Sequence, residues 1–186
     1  MVPEIIGIVG PHGSGKTEVT KVFVGLGAPS VRMGDVVWGE VKRLGMEITE
    51  ENVAKVANEL RKKDGPGAIA KRCVPIIGDK GKGKRAVVVD GLRGAAEVKE
   101  FRRAFGDDFH LLAVQAGEKL RYSRIESRGR SDDAGTQKEF REKDRRELSW
   151  GLEEALALAD HTIVNDGTLE DLHRKSVEFY NEIVGE

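Results

Sequence analysis

Eight residues near the start of the chain carry the clearest chemical pattern. Residues 10–17 read Gly-Pro-His-Gly-Ser-Gly-Lys-Thr, and they lie between an apolar run at 5–9 and a helix-like stretch. The spacing G-x-x-x-x-G-K-T between a buried strand and a helix start is typical of a phosphate-binding P-loop. Glycines let backbone N–H groups converge on phosphate oxygens, and the dipole of the following helix adds to the attraction. We therefore predict a nucleotide site in this loop.

The residue types in this loop also predict how the nucleotide is held. A lysine at position 16 reaches the β- and γ-phosphates, and the hydroxyl of Thr17 takes a coordination position on Mg²⁺. ATP and Mg²⁺ are the expected cofactors. The predicted nucleotide-binding residues of the loop are Gly10, Pro11, His12, Gly13, Ser14, Gly15, Lys16 and Thr17.

A second candidate cluster follows the strand predicted at 86–90. The strand ends in Asp90-Gly-Leu-Arg93, and ligands of open α/β sheets bind at the carboxyl ends of strands. Asp90 suits Mg²⁺ there, although an aspartate at this point could also cap the next helix. Arg93 could hold a second phosphate-bearing ligand, or it could be a solvated residue of the helix start. The pattern favours the ligand-binding interpretation of both residues.

Arginines concentrate after the fourth predicted strand. Arg121, Arg124 and Arg128 share one helix face, and Arg130 follows across a glycine. Such a face could simply be solvated and paired with nearby acids. However, phosphoryl transfer spreads negative charge over the transferred oxygens, and arginines on a closing lid stabilise that charge. We predict a lid over about 121–146, with Arg124, Arg128 and Arg130 as catalytic residues.

Length and composition restrict the alternatives. The chain has 186 residues, a formal net charge of −1 and one cysteine, Cys73, which excludes an internal disulfide. A near-neutral chain provides no general attraction for nucleic acid or an anionic membrane, and no apolar run reaches the ~18 residues of a membrane span. We expect a cytoplasmic protein with a buried, unreactive thiol. The charged fraction of 34% and the few amides resemble proteins from thermophiles.

Five short apolar runs alternate with helical patterns, which predicts a three-layer α/β/α sandwich with a five-stranded parallel sheet. We expect a single domain over 1–186, with a helical, acceptor-binding insert at about 34–80. The predicted strands are 5–9, 30–33, 86–90, 110–115 and 161–164. The predicted helices are 16–26, 35–44, 50–63, 67–78, 94–105, 118–128, 136–158 and 168–183.

With these motifs the chain resembles the nucleoside-monophosphate kinase and dephospho-CoA kinase branch of P-loop proteins, and more closely an archaeal family within it. The matching segments are 10–17, 33–35, 90–93, 101–108, 128–133, 144–148 and 159–170. The resemblance implies that Asp90 and Arg93 belong to the Asp-Gly-x-x-Arg turn of adenylate kinases. It also implies that Asn165 and Gly167, after the last strand, lie near the adenine.

One departure from the resembled pattern concerns the acceptor. Adenylate kinases follow a Gly-Asp pair by two residues and then an arginine, but here Gly34-Asp35-Val-Val is followed by Trp38. Dephospho-CoA kinases resemble this segment in using the aspartate as a general base for a hydroxyl acceptor. Asp35 therefore favours a hydroxyl acceptor, although Arg93 or Lys42 could still hold a phosphate. Trp38 could be a core residue or a platform for an acceptor ring.

The sequence predicts an ATP- and Mg²⁺-dependent kinase of a small nucleotide-like acceptor, similar to dephospho-CoA kinases. A nucleoside-monophosphate kinase is the first alternative. A regulatory ATP-binding switch is a second, which the lack of an Asn-Lys-x-Asp motif weakens. An ATPase acting on RNA through the basic segment 80–85 is a third, and the net charge argues against it. The sequence does not indicate the oligomeric state.

Overall fold

The computed structural model describes residues 2–128 and 136–185. Five parallel strands form one sheet in the order β2-β3-β1-β4-β5, with helices on both faces, which confirms the predicted fold class. The strands are β1 (Glu4–Val9), β2 (Ser30–Arg32), β3 (Ala86–Asp90), β4 (Phe109–Gln115) and β5 (His161–Val164). The helices are α1 (Lys16–Gly25), α2 (Met33–Arg43), α3 (Glu50–Asp64), α4 (Ala68–Lys80), α5 (Ala95–Phe105), α6 (Glu118–Arg128), α7 (Gln137–Glu147), α8 (Glu153–Ala157) and α9 (Leu169–Val184).

The continuous apolar runs of the central strands follow from burial on both faces of the sheet. Alternate side chains of β3 enter two separate cores: Val87 and Val89 pack under α2–α5, whereas Val88 packs under α1 and α9. Neighbouring side chains of a strand point to opposite faces, so a strand covered on both sides has no polar position. Cys73 lies in the first core, where burial raises the pKa of its thiol to about 12 and keeps it protonated.

The register of the sheet aligns the ends of three strands. Asp90 pairs with Ile8 of β1 on one side and with Arg32 of β2 on the other. Adjacent strands lie about 4.8 Å apart, so the segments that leave these strands begin side by side. The turn after β3 also contacts the start of α2, because a Cβ on Gly91 would lie 3.7 Å from Cβ of Met33.

Two predicted element boundaries were wrong. Helix α2 begins at Met33, directly after β2, and not at residue 35. The helix predicted at 136–158 is divided into α7, a π-helix at Leu148–Leu152 and α8. The interruption contains Gly151, whose φ of 97° is open to glycine but strained for other residues. That glycine packs against the start of α5, because a Cβ on it would lie 3.6 Å from Cα of Gly94.

Two helix starts carry reciprocal caps. At the start of α9 the side chains of Thr168 and Asp171 each accept a hydrogen bond from the backbone N–H of the other residue, and Thr136 and Glu139 do the same for α7. Among the helices of the described ranges, none combines the length and the apolar character that crossing a membrane requires.

Candidate functional site

The P-loop is a tight glycine-dependent turn between β1 and α1. Gly13 and Gly15 have φ values of 77° and 108°, and a Cβ on Gly15 would lie 2.5 Å from Nδ2 of Asn165. The side chain of Lys16 folds over the loop and donates hydrogen bonds from Nζ to the carbonyls of Gly10 and Pro11, at 2.5 and 2.9 Å. The loop therefore has the backbone curvature and the lysine placement that phosphate binding requires.

Asn165, directly after β5, holds the P-loop in place through hydrogen bonds. Its backbone N–H continues the β4–β5 pairing, and its buried side-chain amide donates to the carbonyl of Ser14 at 2.8 Å. The adenine contact that the resemblance implies for Asn165 stays a prediction. Gly167 lies in the turn between β5 and α9, where a Cβ would come within 2.8 Å of the Asp171 carboxylate.

Arg124, one of the predicted lid arginines, lies against this support. Its Nη2 donates to the backbone carbonyl of Asn165 at 3.0 Å and to the side-chain oxygen at 3.3 Å. Its Nη1 is buried and makes no hydrogen bond within the described ranges. The guanidinium thus reaches the loop after β5, beside the P-loop.

Arg121 lies beside the P-loop, although the sequence reasoning named it only as part of the arginine face and did not select it as a site residue. It is only 6% exposed, binds Asp144 of α7 with two hydrogen bonds of 2.6 and 2.7 Å, and donates to the carbonyl of His12 at 3.1 Å. It also lies over the ring of Phe140. One buried cation therefore connects the P-loop to both α6 and α7.

The segment predicted as a lid forms a pair of packed helices. Besides the contact of Arg121 with Asp144, Arg141 binds Glu118 at 2.8 Å, and the rings of Tyr122 and Phe140 meet edge to face. Arg130 lies outside the described residues, and so does the side chain of Arg128. Catalytic roles for the arginines of this segment stay predictions.

Asp90 and Thr17 are the predicted Mg²⁺ ligands. Asp90 ends β3, adjacent to β1, and Thr17 is an exposed residue of the first turn of α1. No cluster of three or more metal-ligating side chains occurs in the described part of the chain. Two oxygen ligands from the protein fit Mg²⁺, which usually keeps waters and binds substrate phosphates as well. The glycine cradle and this pair of ligands are therefore compatible with a bound ATP–Mg²⁺.

Asp35 lies in the first turn of α2, next in space to the end of β3. Its side chain is 60% exposed, and Arg32 Nε lies 3.4 Å from its carboxylate. The Arg32 guanidinium also lies over the ring of Trp38, 5.0 Å from the centroid. Trp38 is 40% exposed, so the core interpretation of this residue was wrong.

Arg93 is exposed, while the turn that carries it is held from below by Glu97. The Arg93 backbone N–H donates to the Glu97 carboxylate at 2.8 Å, and Arg61 of α3 lies 3.8 Å from the same carboxylate. Glu97 is 4% exposed. Burial raises its pKa, against the opposing effects of the backbone N–H groups and the nearby arginines.

The structure brings the P-loop, Asp90, Asp35 and Arg93 to one edge of the sheet. The sequence reasoning missed two residues beside them, Arg32 and Glu97, and it named Arg121 without selecting it as a site residue. Arg32 had a signal, since it lies three residues before Asp35 and six before Trp38. For Arg121 the signal was ambiguous, because a buried cation and a solvated one have the same helical spacing.

Comparison with known proteins identifies the family. The chain matches the AAA domain family over residues 9–141. It is 43% identical to a UPF0200 protein of Methanosarcina barkeri over 175 residues, which cover 94% of this chain and 93% of that protein. It is 50% identical over 172 residues to a UPF0200/UPF0201 protein of Archaeoglobus fulgidus. That match covers 92% of this chain but only 53% of the length of the relative.

Solved kinases share the fold. A shikimate kinase from Acinetobacter baumannii, in complex with shikimate, aligns with a TM-score of 0.53 and 18% identity over 97% of this chain and 94% of that one. A dephospho-CoA kinase from Campylobacter jejuni aligns with a TM-score of 0.56 and 15% identity, covering 97% of each chain. These identities establish a P-loop kinase-like fold and leave the substrate open. By its sequence relatives, the chain belongs to the UPF0200 family of archaeal P-loop proteins.

Proposed function

We propose that this protein is an ATP- and Mg²⁺-dependent kinase that phosphorylates a hydroxyl group of a small nucleotide-like acceptor, as dephospho-CoA kinases do. One observation carries the proposal. The P-loop, Asp90 and Asp35 follow three strands that are neighbours in space, β1, β3 and β2, at the same edge of the sheet. A phosphate site, a metal ligand and a candidate base thus follow one another along the binding edge of the fold.

On the donor side, the backbone N–H groups of 10–17 and the Lys16 ammonium bind the phosphates of ATP. Thr17 and Asp90 hold Mg²⁺, which neutralises charge on the phosphate oxygens. Arg124, Arg128 and Arg130 add positive charge from the lid segment as negative charge develops on the transferred group.

On the acceptor side, Asp35 takes the proton of the acceptor hydroxyl. The hydroxyl oxygen forms a bond to the γ-phosphorus, and the bond between that phosphorus and the bridging oxygen of ADP breaks. The exposed carboxylate of Asp35 is accessible to a ligand, and the exposed Trp38 offers an aromatic surface one turn further along α2.

A nucleoside-monophosphate kinase is the competing proposal, and the exposed guanidinium of Arg93 at the same edge supports it. In that reaction the acceptor phosphate is already ionised, so no base is required and Arg93 becomes the important acceptor contact. A regulatory ATP-binding switch has no comparable support, because it gives Asp35 no role.

The test begins with a screen of purified protein, ATP and Mg²⁺ against nucleoside monophosphates, dephospho-CoA and nucleosides. With the best acceptor, Asp35→Asn should lower kcat by about 10²- to 10⁴-fold with little change in ATP affinity, because the amide cannot accept the proton. Asp79→Asn is the matched control, since Asp79 is an exposed aspartate at the far end of α4, paired with Lys82.

The same assay separates the two kinase classes. A large kcat loss for Arg93→Ala beside a near-normal kcat for Asp35→Asn would mean that the acceptor group is a monophosphate and not a hydroxyl. Absence of phosphoryl transfer to every acceptor in the screen would count against a kinase altogether.

A further inference from the structure

Arg32, Asp35 and Trp38 form an exposed cluster that ordinary surface pairing does not explain. The Arg32 guanidinium lies on the indole ring and touches the Asp35 carboxylate only through Nε, at 3.4 Å. Within 2–128 and 136–185, none of the hydrogen bonds of the structure involves this guanidinium. The guanidinium contacts the indole by cation–π attraction, and the Arg32 side chain is 54% exposed, so its remaining N–H groups are accessible to solvent.

Two surface arginines of the neighbouring helices behave differently. Arg43 binds Glu40 with two hydrogen bonds of 2.7 Å, and Arg72 binds Asp64 at 2.5 Å. These arginines use their donors on carboxylates of their own neighbourhood. Arg32 makes only a longer ion pair with its acidic neighbour Asp35, at 3.4 Å through Nε.

The position of Arg32 in the sheet indicates what the cluster binds. Arg32 is the last residue of β2 and pairs in register with Asp90, the proposed Mg²⁺ ligand. Its side chain therefore leaves the sheet at the edge where the donor phosphates and Asp35 meet. A planar cation at such a place suits an anion that it can bind through two parallel N–H groups.

We infer that Arg32, held on Trp38, binds a phosphate group of the acceptor while Asp35 contacts a hydroxyl of the same molecule. The inference rests on the proposed kinase function and names its substrate class, a phosphorylated alcohol. Nε of Arg32 lies 3.4 Å from the Asp35 carboxylate, and the outer nitrogens of a guanidinium lie about 2.3 Å from its Nε. Two further hydrogen bonds of about 2.8 Å therefore place the phosphate and the hydroxyl within roughly 11 Å of each other. That separation matches the two groups of one phosphorylated sugar or nucleoside.

The experiment measures acceptor binding with the P-loop already filled. The protein is saturated with a non-hydrolysable ATP analogue and Mg²⁺, and it is then titrated calorimetrically with adenosine 5′-monophosphate, dephospho-CoA and adenosine. Adenosine is the probe without phosphate. The wild type should bind at least one phosphate-bearing probe about 10- to 100-fold more tightly than adenosine, the range expected for a charged hydrogen-bonded pair.

Arg32→Gln should abolish this phosphate preference and leave adenosine affinity and ATP affinity unchanged. Arg32→Lys keeps the charge but loses the planar fork, so it should retain part of the preference. Arg43→Gln is the matched control, an exposed arginine at the far end of α2 that is bound to Glu40. Melting temperatures of all three variants verify that they are folded.

A phosphate preference that survives in Arg32→Gln would overturn the inference, as would a wild type that binds neither phosphate-bearing probe more tightly than adenosine. Phosphoryl transfer measured with the same probes tests the kinase function separately. Phosphoryl transfer without an Arg32-dependent preference for phosphate-bearing probes overturns only the assignment of the phosphate site to Arg32. An Arg32-dependent preference without transfer supports the phosphate site and counts against the kinase.

Discussion

The two sides of the candidate site differ in how firmly the protein holds them. On the P-loop side, the polar groups are buried and cross-linked: Asn165 binds the carbonyl of Ser14, and Arg121 binds His12 and Asp144. On the side of α2, Asp35 and Trp38 are exposed, and Arg32 touches the aspartate only loosely. One side is preorganised by the fold, and the other is open to a ligand.

In the proposed kinase, this difference follows from what each side recognises. Phosphates of ATP are bound by backbone N–H groups, whose directions are set only by a fixed backbone. If the P-loop backbone changed its conformation, several of its N–H groups would stop pointing at the phosphates at once. An acceptor is recognised by side chains, which can adjust to the ligand and differ between related enzymes without changes in the sheet.

The comparison predicts the largest effect for a residue on the rigid side. Lys16→Ala removes the cation that meets the transferred phosphate, so turnover should fall on the order of 10³-fold or more. Lys21→Ala, on the exposed face of the same helix and paired with Glu18, is the matched control. Steady-state kinetics and thermal melting of both variants provide the measurement. Normal turnover in a folded Lys16→Ala protein would exclude the P-loop as the catalytic donor site.

A second prediction tests whether the rigid side depends on its buried ion pair. Arg121→Met should lower the free energy of unfolding by about 3 kcal/mol, because Asp144, which is 15% exposed, loses its partner. It should also weaken ATP binding, since the carbonyl of His12 is released. Arg141→Met removes an exposed pair with Glu118 between the same two helices and should cost less than about 1 kcal/mol.

Denaturant unfolding and ATP titration measure these two quantities. Equal destabilisation by the two substitutions would mean that Arg121 acts only as one more surface contact. In that case the rigidity of the P-loop would have to come from Asn165 and the glycines alone.

The rigid side is also where sequence reasoning was most successful. The loop at 10–17, the strand and helix that flank it and the buried Cys73 follow from local patterns. Glycine spacing, apolar runs and the position of Lys16 are set by neighbours in the chain. The supports of the loop are different. Asn165 and Ser14 are 151 positions apart, so nothing local reveals that their side chain and carbonyl meet.

The open side could be predicted only in outline. The sequence located Asp35 at the binding edge, but placing Met33 in the strand hid the position of Arg32 as the last strand residue. The exposure of Trp38 depends on which face of α2 meets the core, and a tryptophan is compatible with either face. The break in the helix predicted at 136–158 did have a local signal, the isolated glycine at position 151, whose φ is positive in the structure.

The smallest expected effect lies between the two sides, at the buried carboxyl of Glu97 beneath the Asp90–Arg93 turn. Burial raises the pKa of Glu97 above 4.5, so the folded protein holds this proton more tightly than the unfolded chain does. The contribution of Glu97 to stability is therefore complete below about pH 4.5 and decreases as the pH rises through the folded-state pKa.

Glu97→Gln cannot ionise and should escape this decrease. Urea unfolding in steps from pH 4.5 to 7.5 should show the wild type losing stability relative to the variant. Exposed Glu178→Gln serves as the control and should run parallel to the wild type. A constant difference between wild type and Glu97→Gln across this range would mean that the backbone N–H groups of the turn and Arg61 fully offset the burial. The ionised Glu97 carboxylate would then be stable beneath the turn that carries Arg93, and this turn would belong with the rigid side of the site.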